Sequence, residues 1–169
     1  GKEHSLVVHA ESDVRSGQQP AGKQSSIYNS HGCFYTRTTG IWQTVWMEAV
    51  DACALERVHV LTDIDQSQMV VTPTFYNYAA GSKFVVSVKD GEKVVSKVEV
   101  AAAQGLPVVV PIKKAKLWSP ESPFLYDVVY EVVAADGKIV DKVDAYVGMR
   151  KIHIEGNKIL LNNKPYYQR

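Results

Sequence analysis

KFVVSVKDGEKVVSKVEV, residues 83–100, decides the fold. Two runs, KFVVSVKD and EKVVSKVEV, alternate on either side of Asp90-Gly91. A period of two sends one set of side chains to a core and the other outward. Asp-Gly between two such runs is the strongest short hairpin signal, because both residues reach positive φ at low cost. The arrangement recurs where VVAAD and KIVDKVDAYVG flank Asp136-Gly137. Upstream, RVHVLTDI alternates from Arg57, and QMVVTPTFYNY follows after a polar turn. Pro73 inside that second run predicts an edge or a bulge, since proline cannot donate to a ladder. VVVPI, residues 108–112, supplies one more strand. From Arg57 to Gly148 the count is about seven strands, as in an immunoglobulin-like sandwich. Helix signals are nearly missing, so the class is all-β. Two further short runs surround Gly156-Asn157, outside the seven.

The residues before this block are different in kind. SLVVHA, residues 5–10, is a short strand-like run, and Glu11 to Cys33 is a polar stretch rich in Gly, Ser and Gln, long enough to be a functional or packing loop. RTTGIWQTVWME, residues 37–48, is predicted as a strand with apolar groups on both faces. Ile41, Val45 and Met47 share one face, and Trp42 and Trp46 the other. The i, i+4 spacing of the tryptophans also fits a helix. Thr38, Thr39 and Gly40 in succession argue against one, and Thr44, Val45 and Trp46 prefer a pleated surface. The residues leave two readings open. Either both rings lie inside one sandwich between its sheets, or they face a domain boundary.

KLWSPESPFLYDV, residues 116–128, interrupts the strand rhythm. Pro120 and Pro123 predict a stiff, extended passage. Trp118 before it and Phe124, Leu125 and Tyr126 after it give a rigid loop much apolar surface. Trp118 either caps this domain's own core or leans on a neighbour.

Composition bounds the function. Hydrophobic residues are 46% and charged residues 22% of the 169, enough apolar material for a sizeable core. The net charge is +1, without the clustered Lys/Arg stripe that nucleic acid or an acidic membrane surface would require. No apolar run approaches the length of a membrane-spanning helix. Cys33 and Cys53 form neither a disulfide scaffold nor a zinc spacing. GKEHSLVVHAESD lacks signal-peptide architecture, and the sequence stops at PYYQR. Both ends read as cuts, so a piece of a larger protein is expected.

Catalytic motifs are missing: no Gly-x-Ser-x-Gly elbow, P-loop or His-Glu-x-x-His pattern occurs. His4, His9, His31, His59 and His153 are scattered without ligand spacing, so neither a metal nor a cofactor is expected. Asp63 with Asp65, or Asp141 with Asp144, could be paired as acid and base, but solvated turns and strand faces are the better reading.

Three blocks together resemble glycoside hydrolase family 2, the β-galactosidase, β-glucuronidase and β-mannosidase group. TRTTGIWQTVWME is similar to the closing strand of that family's jelly-roll sugar-binding domain, with Gly40, Ile41 and Trp42 as its Gly-Ile-aromatic core. LWSPESPFLYDV resembles the loop and strand of its immunoglobulin-like domain, through Leu117, Trp118, Pro120, Leu125 and Tyr126. VGMRKIHIEGNKILLNNKPYYQR resembles the passage into its catalytic barrel, through Gly148, Arg150, Leu161, Asn162, Lys164 and Pro165. The resemblance implies that residues 1–53 are the C-terminal part of a jelly roll, 54–150 the immunoglobulin-like domain, and 151–169 the start of a (β/α)8 barrel. It implies retaining hydrolysis of a β-glycoside by two barrel glutamates about 5 Å apart, neither of them in this sequence. Arg169 matches an arginine at the mouth of the barrel's first strand and so would approach the active site. Where some members place an active-site aspartate, six residues before the glycine, this chain has Phe34.

The resemblance therefore implies a non-catalytic structural part of a periplasmic or secreted β-glycosidase. Its partners would be the catalytic barrel in cis and, through the parent enzyme, a carbohydrate. Trp42, Trp46, Trp118 and Tyr126 would pack between domains. Exposed strand edges of a shortened jelly roll would favour a homodimer. The alternatives are a carbohydrate-binding sandwich, with tryptophans stacking on sugar rings and the Arg15 to Cys33 loop shaping a groove, or an immunoglobulin-like protein-interaction module.

Overall fold

Backbone pairing in the computed structural model, which describes residues 3–77 and 79–167, divides the chain into two compact units, Gly1–Glu48 and Ala49–Arg169. In the second unit seven strands make the sandwich: β1 (Leu55–Asp63), β2 (Gln68–Phe75), β3 (Lys83–Asp90), β4 (Lys93–Ala101), β5 (Val108–Pro111), β6 (Tyr126–Val133) and β7 (Ile139–Val147). One sheet has the order β1-β2-β5 and the other β4-β3-β6-β7, with every pairing antiparallel. A small antiparallel sheet of β8 (Ile152–Glu155), β9 (Lys158–Leu161) and β10 (Lys164–Pro165) follows in the same unit.

The core lies between the two large sheets and follows from the period of two. On β2, Met69, Val71, Pro73 and Phe75 are buried and the residues between them are not. They meet Phe84, Val86 and Val88 of β3 and Tyr130 and Val132 of β6. Phe84, fully buried, sits edge-on to Phe75 at 5.6 Å and stacks on Tyr130 at 6.0 Å. Burial pushes the Tyr130 phenol up to about 12, since the anion loses its water.

The turns correct the sequence reading in detail. Asp90 pairs with Lys93, so the two-residue loop is Gly91-Glu92, and of the two only Gly91 has positive φ (59°). At the second hairpin the Gly137 N–H donates to the Ala134 carbonyl and Gly137 takes φ 86°, a three-residue loop. Pro73 lies on the central strand β2, yet β5 pairs only with Gln68–Val71, so one side of the ladder has already ended at the proline. Pro120 does not extend its segment. Ser119 and Ser122 exchange backbone hydrogen bonds of 3.0 Å around it, a reverse turn that its fixed φ favours.

The largest departure is in the first unit. Neither residues 5–10 nor residues 37–48 form a strand. A strand exists only as part of a ladder, and no described residue offers these segments one. The Thr38 N–H is taken by the Gln24 side chain at 3.0 Å, and Gly40 turns the backbone at φ 137°. Ser25 is the one buried residue among those described in this unit, its hydroxyl donating to the carbonyls of Ile27 (3.0 Å) and Asn29 (2.7 Å). Trp42 and Trp46 are 88% and 73% exposed, so neither ring is enclosed between two sheets.

Candidate functional site

Sequence-marked residues from two distant stretches converge on Trp118. The β5–β6 connection delivers the indole, and the segment leaving β7 runs beside it. Leu117 bridges Met149, and the Trp118 N–H donates to the Met149 carbonyl at 2.9 Å. The two backbones come so close because residue 148 is glycine. A Cβ there would stand 3.2 Å from the Trp118 Cβ and Cδ1 and from a Leu125 methyl. The φ of Gly148 is not in the positive range, so close approach, and not backbone freedom, makes this glycine necessary.

Arg150 lays its guanidinium over the Trp118 ring, 4.9 Å from the centroid. Its carbonyl accepts from the Thr62 hydroxyl at 2.6 Å, tying the departing chain to β1. The small sheet is fixed to the same corner by Asn162. Leu161 pairs with Lys164, and Asn162 and Asn163 between them take φ 52° and 64°, both residues left-handed as in a type I′ turn. The Asn162 side chain accepts from the Lys151 N–H (3.1 Å) and donates to the Trp118 carbonyl (2.9 Å), while its own N–H donates to the Lys151 carbonyl (2.8 Å).

Carboxylates here hold loops together. Asp63 accepts from the N–H groups of Asp65 (3.1 Å) and Gln66 (3.0 Å) and shapes the β1–β2 turn. Asp65 takes the Lys151 ammonium and the Asn163 amide, the latter at 2.7 Å. The hydrogen bond from Lys151, then that from Asn163, holds Asp65 below the usual carboxylate range. Asp141 accepts from the Leu55 N–H at 2.8 Å, joining β7 to β1. Glu121 is held low by its own N–H, then by the Ser119 and Tyr166 hydroxyls, and its hydrogen bond raises Tyr166 in turn. Asp63, Asp65 and Asp141 are thus each engaged in structural contacts of their own. Among the described residues no three His, Cys, Asp or Glu gather as a metal site.

Tyr126 belongs to the interior and not to an outer packing face. It is 3% exposed, lies edge-on to Phe124 at 4.8 Å, and accepts the Lys116 N–H at 2.7 Å. A tyrosine opening the sixth strand and bonded back to the chain ahead of it is the tyrosine corner of such sandwiches. Trp118 is half-buried, one side of its ring within this corner. Trp42 and Trp46 belong to the other unit. Arg169 lies outside the described residues. Sequence reasoning missed Asp65 as a clasp, because its partners are 86 and 98 positions away; nothing in the local pattern distinguishes it from a solvated turn residue.

Two clefts open on the corner. One of about 640 Å³ runs between Val60, Leu125, Tyr146 and Arg150, and one of about 190 Å³ lies between Arg150, Ile159 and Tyr166. In the first unit a groove of about 880 Å³ is lined by Arg15, Tyr28, Arg37 and Thr38 among others.

The model of the glycosyl hydrolases family 2 matches residues 53–150, more than half of the chain. A β-glucuronidase from Paenibacillus borealis is 29% identical over 69 residues, which are 41% of this chain and 12% of that protein. The crystal structure of the Ruminococcus gnavus β-glucuronidase aligns with a TM-score of 0.56 at 23% identity, over 69% of this chain and 19% of that one. The same enzyme in complex with D-glucuronic acid aligns at 0.55 over 68% of this chain. At that identity the structural likeness shows the fold alone. The chain spans between 12% and 19% of the length of these relatives. With the family match over the whole sandwich, the chain belongs to glycosyl hydrolases family 2.

Proposed function

We propose that this chain is the non-catalytic supporting part of a retaining β-glycosidase. Residues 1–53 are read as the end of a jelly roll, 54–150 as the spacer sandwich, and 151–169 as the entry to a (β/α)8 catalytic domain. The observation that carries this reading is the corner at Trp118. Gly148, Arg150 and Asn162 fix the direction in which the chain leaves the sandwich, using two hydrogen bonds from one asparagine side chain and a cation on an indole. A linker needs no such fixation; a support that orients a neighbouring domain does. Trp118 serves as an anchor of that orientation, and Trp42 and Trp46 pack against further parts of the same enzyme. The relatives named as β-glucuronidases favour a β-glucuronide among the family's β-glycosides. The isolated chain is expected to leave nitrophenyl β-glycosides unhydrolysed. Measurable turnover that survives repurification would contradict the reading.

A second reading is favoured by the groove of the first unit. Two arginines, several hydroxyls and the exposed ring of Tyr28 suit a polar sugar. NMR titration decides it. Saturable amide shifts of the groove residues with β-linked oligosaccharides at millimolar concentration support a carbohydrate-binding module, and unchanged groove resonances remove it.

A further inference from the structure

The two clefts at the Trp118 corner share Trp118, Arg150 and Ile152, so they adjoin there along one trough. Among the described lining residues of both, Arg150 is the single charged group. Exposed apolar side chains stand along both clefts, Leu125, Tyr146 and Ile152 beside the polar Thr62 in the larger and Ile159 of β9 in the smaller, mostly apolar one. The nearby carboxylates are engaged elsewhere, Asp65 by Lys151 and Asn163, and Glu121 by Tyr166. No ion pair to Arg150 occurs among the described residues. Among the described residues the guanidinium is thus held by a ring face with its N–H donors unmatched by any anion, at the point where the two clefts meet.

An occupant that buried this trough without an anion would leave a desolvated charge unpaired. We infer that the trough receives an apolar protein segment presenting one aspartate or glutamate to Arg150, and that this segment belongs to the catalytic domain of the same enzyme. Planar guanidinium and carboxylate pair through two parallel hydrogen bonds. Arginine and large aromatic residues at the centre of an apolar patch are also the usual anchors of protein interfaces. The trough is open along its length. It would cover too little of a small acid to hold it, whereas a segment of folded protein covers it fully. The inference rests on the supporting-module reading and adds the chemistry of its contact.

The test is zero-length carbodiimide coupling, read by mass spectrometry, in the intact enzyme carrying R150K, which keeps the cation and supplies a reactive amine. Lys151 with Asp65 is the internal control and must couple in every sample. The expected result is a link from position 150 to one Asp or Glu of the catalytic domain outside residues 151–169, lost in R150A. Links from other sandwich lysines to the catalytic domain, with none from position 150, overturn the inference and leave the supporting role standing. Absence of any link between the sandwich and the catalytic domain outside residues 151–169 overturns both. A link between labelled and unlabelled copies in a mixed sample replaces the proposed segment with a second copy of this chain.

Discussion

The two units of this chain carry similar sequence signals and reach different structures. Residues 37–48 and residues 68–75 both mix β-branched and aromatic residues at strand spacing. The second set forms β2, central in its sheet, with partners on both sides and its alternate side chains buried. The first forms no strand and leaves Ile41, Trp42, Val45, Trp46 and Met47 exposed. Strand propensity is similar in both, so the difference also lies in what is available to pair with. A strand's backbone groups are satisfied by neighbours, and its apolar face gains only when another layer covers it. The sandwich supplies both from within Ala49–Arg169, whereas the first unit has, among its described residues, a single buried one, Ser25, to organise around.

Substitutions sharpen this contrast. The largest effect is expected in the sandwich core: Phe84→Ala removes a ring packed against Phe75 and Tyr130 and should cost about 3–5 kcal/mol in urea unfolding of the chain. Next is alkaline sensitivity. Tyr130 keeps its proton in the folded state up to about 12, whereas an unfolded tyrosine loses it near 10. Between those values the unfolded state binds fewer protons. The stability present below pH 10 therefore declines toward pH 12, by about 2–3 kcal/mol in all. Y130F should flatten that decline, and chemical denaturation across the range measures it.

Gly148→Ala probes the close approach at the corner. Its Cβ meets Trp118 near the backbone and not at a flexible tip, so a loss of about 1–3 kcal/mol is expected, with altered tryptophan fluorescence. The smallest effect is expected in the first unit. Trp42→Ala and Trp46→Ala remove exposed rings and should change the stability of the sandwich by less than about 0.5 kcal/mol. A large effect from either would mean that the second unit depends on the first.

How much was legible in the sequence follows the same division. The seven strands, both Asp-Gly hairpins and the alternating core of β2 could be read because hairpin pairing is local and burial follows a period of two. The loop at Gly91-Glu92 differs by one position from that expected, because the register is set by β3 against β4 and not by the dipeptide alone. Pro120 opens a turn where an extended passage is expected, since its fixed φ suits both. Gly148, Arg150 and Asn162 were marked only by resemblance. Their role depends on Trp118, at least 30 residues earlier, and no local pattern encodes such a meeting. Asp65 looks like a solvated turn residue in the sequence for the same reason. The unformed strand at residues 37–48 is the instructive failure: pattern reports what a segment would bury and says nothing of whether a partner is there to bury it.

Amide hydrogen exchange followed by peptide mass spectrometry tests the central contrast most directly. The account predicts slow exchange throughout β2, β3 and β6, an order of magnitude or more slower than in residues 37–48, and measurable protection of residues 148–162 at the Trp118 corner. Equal protection of residues 37–48 and β2, or exchange of the sandwich strands as fast as that of the first unit, would contradict it.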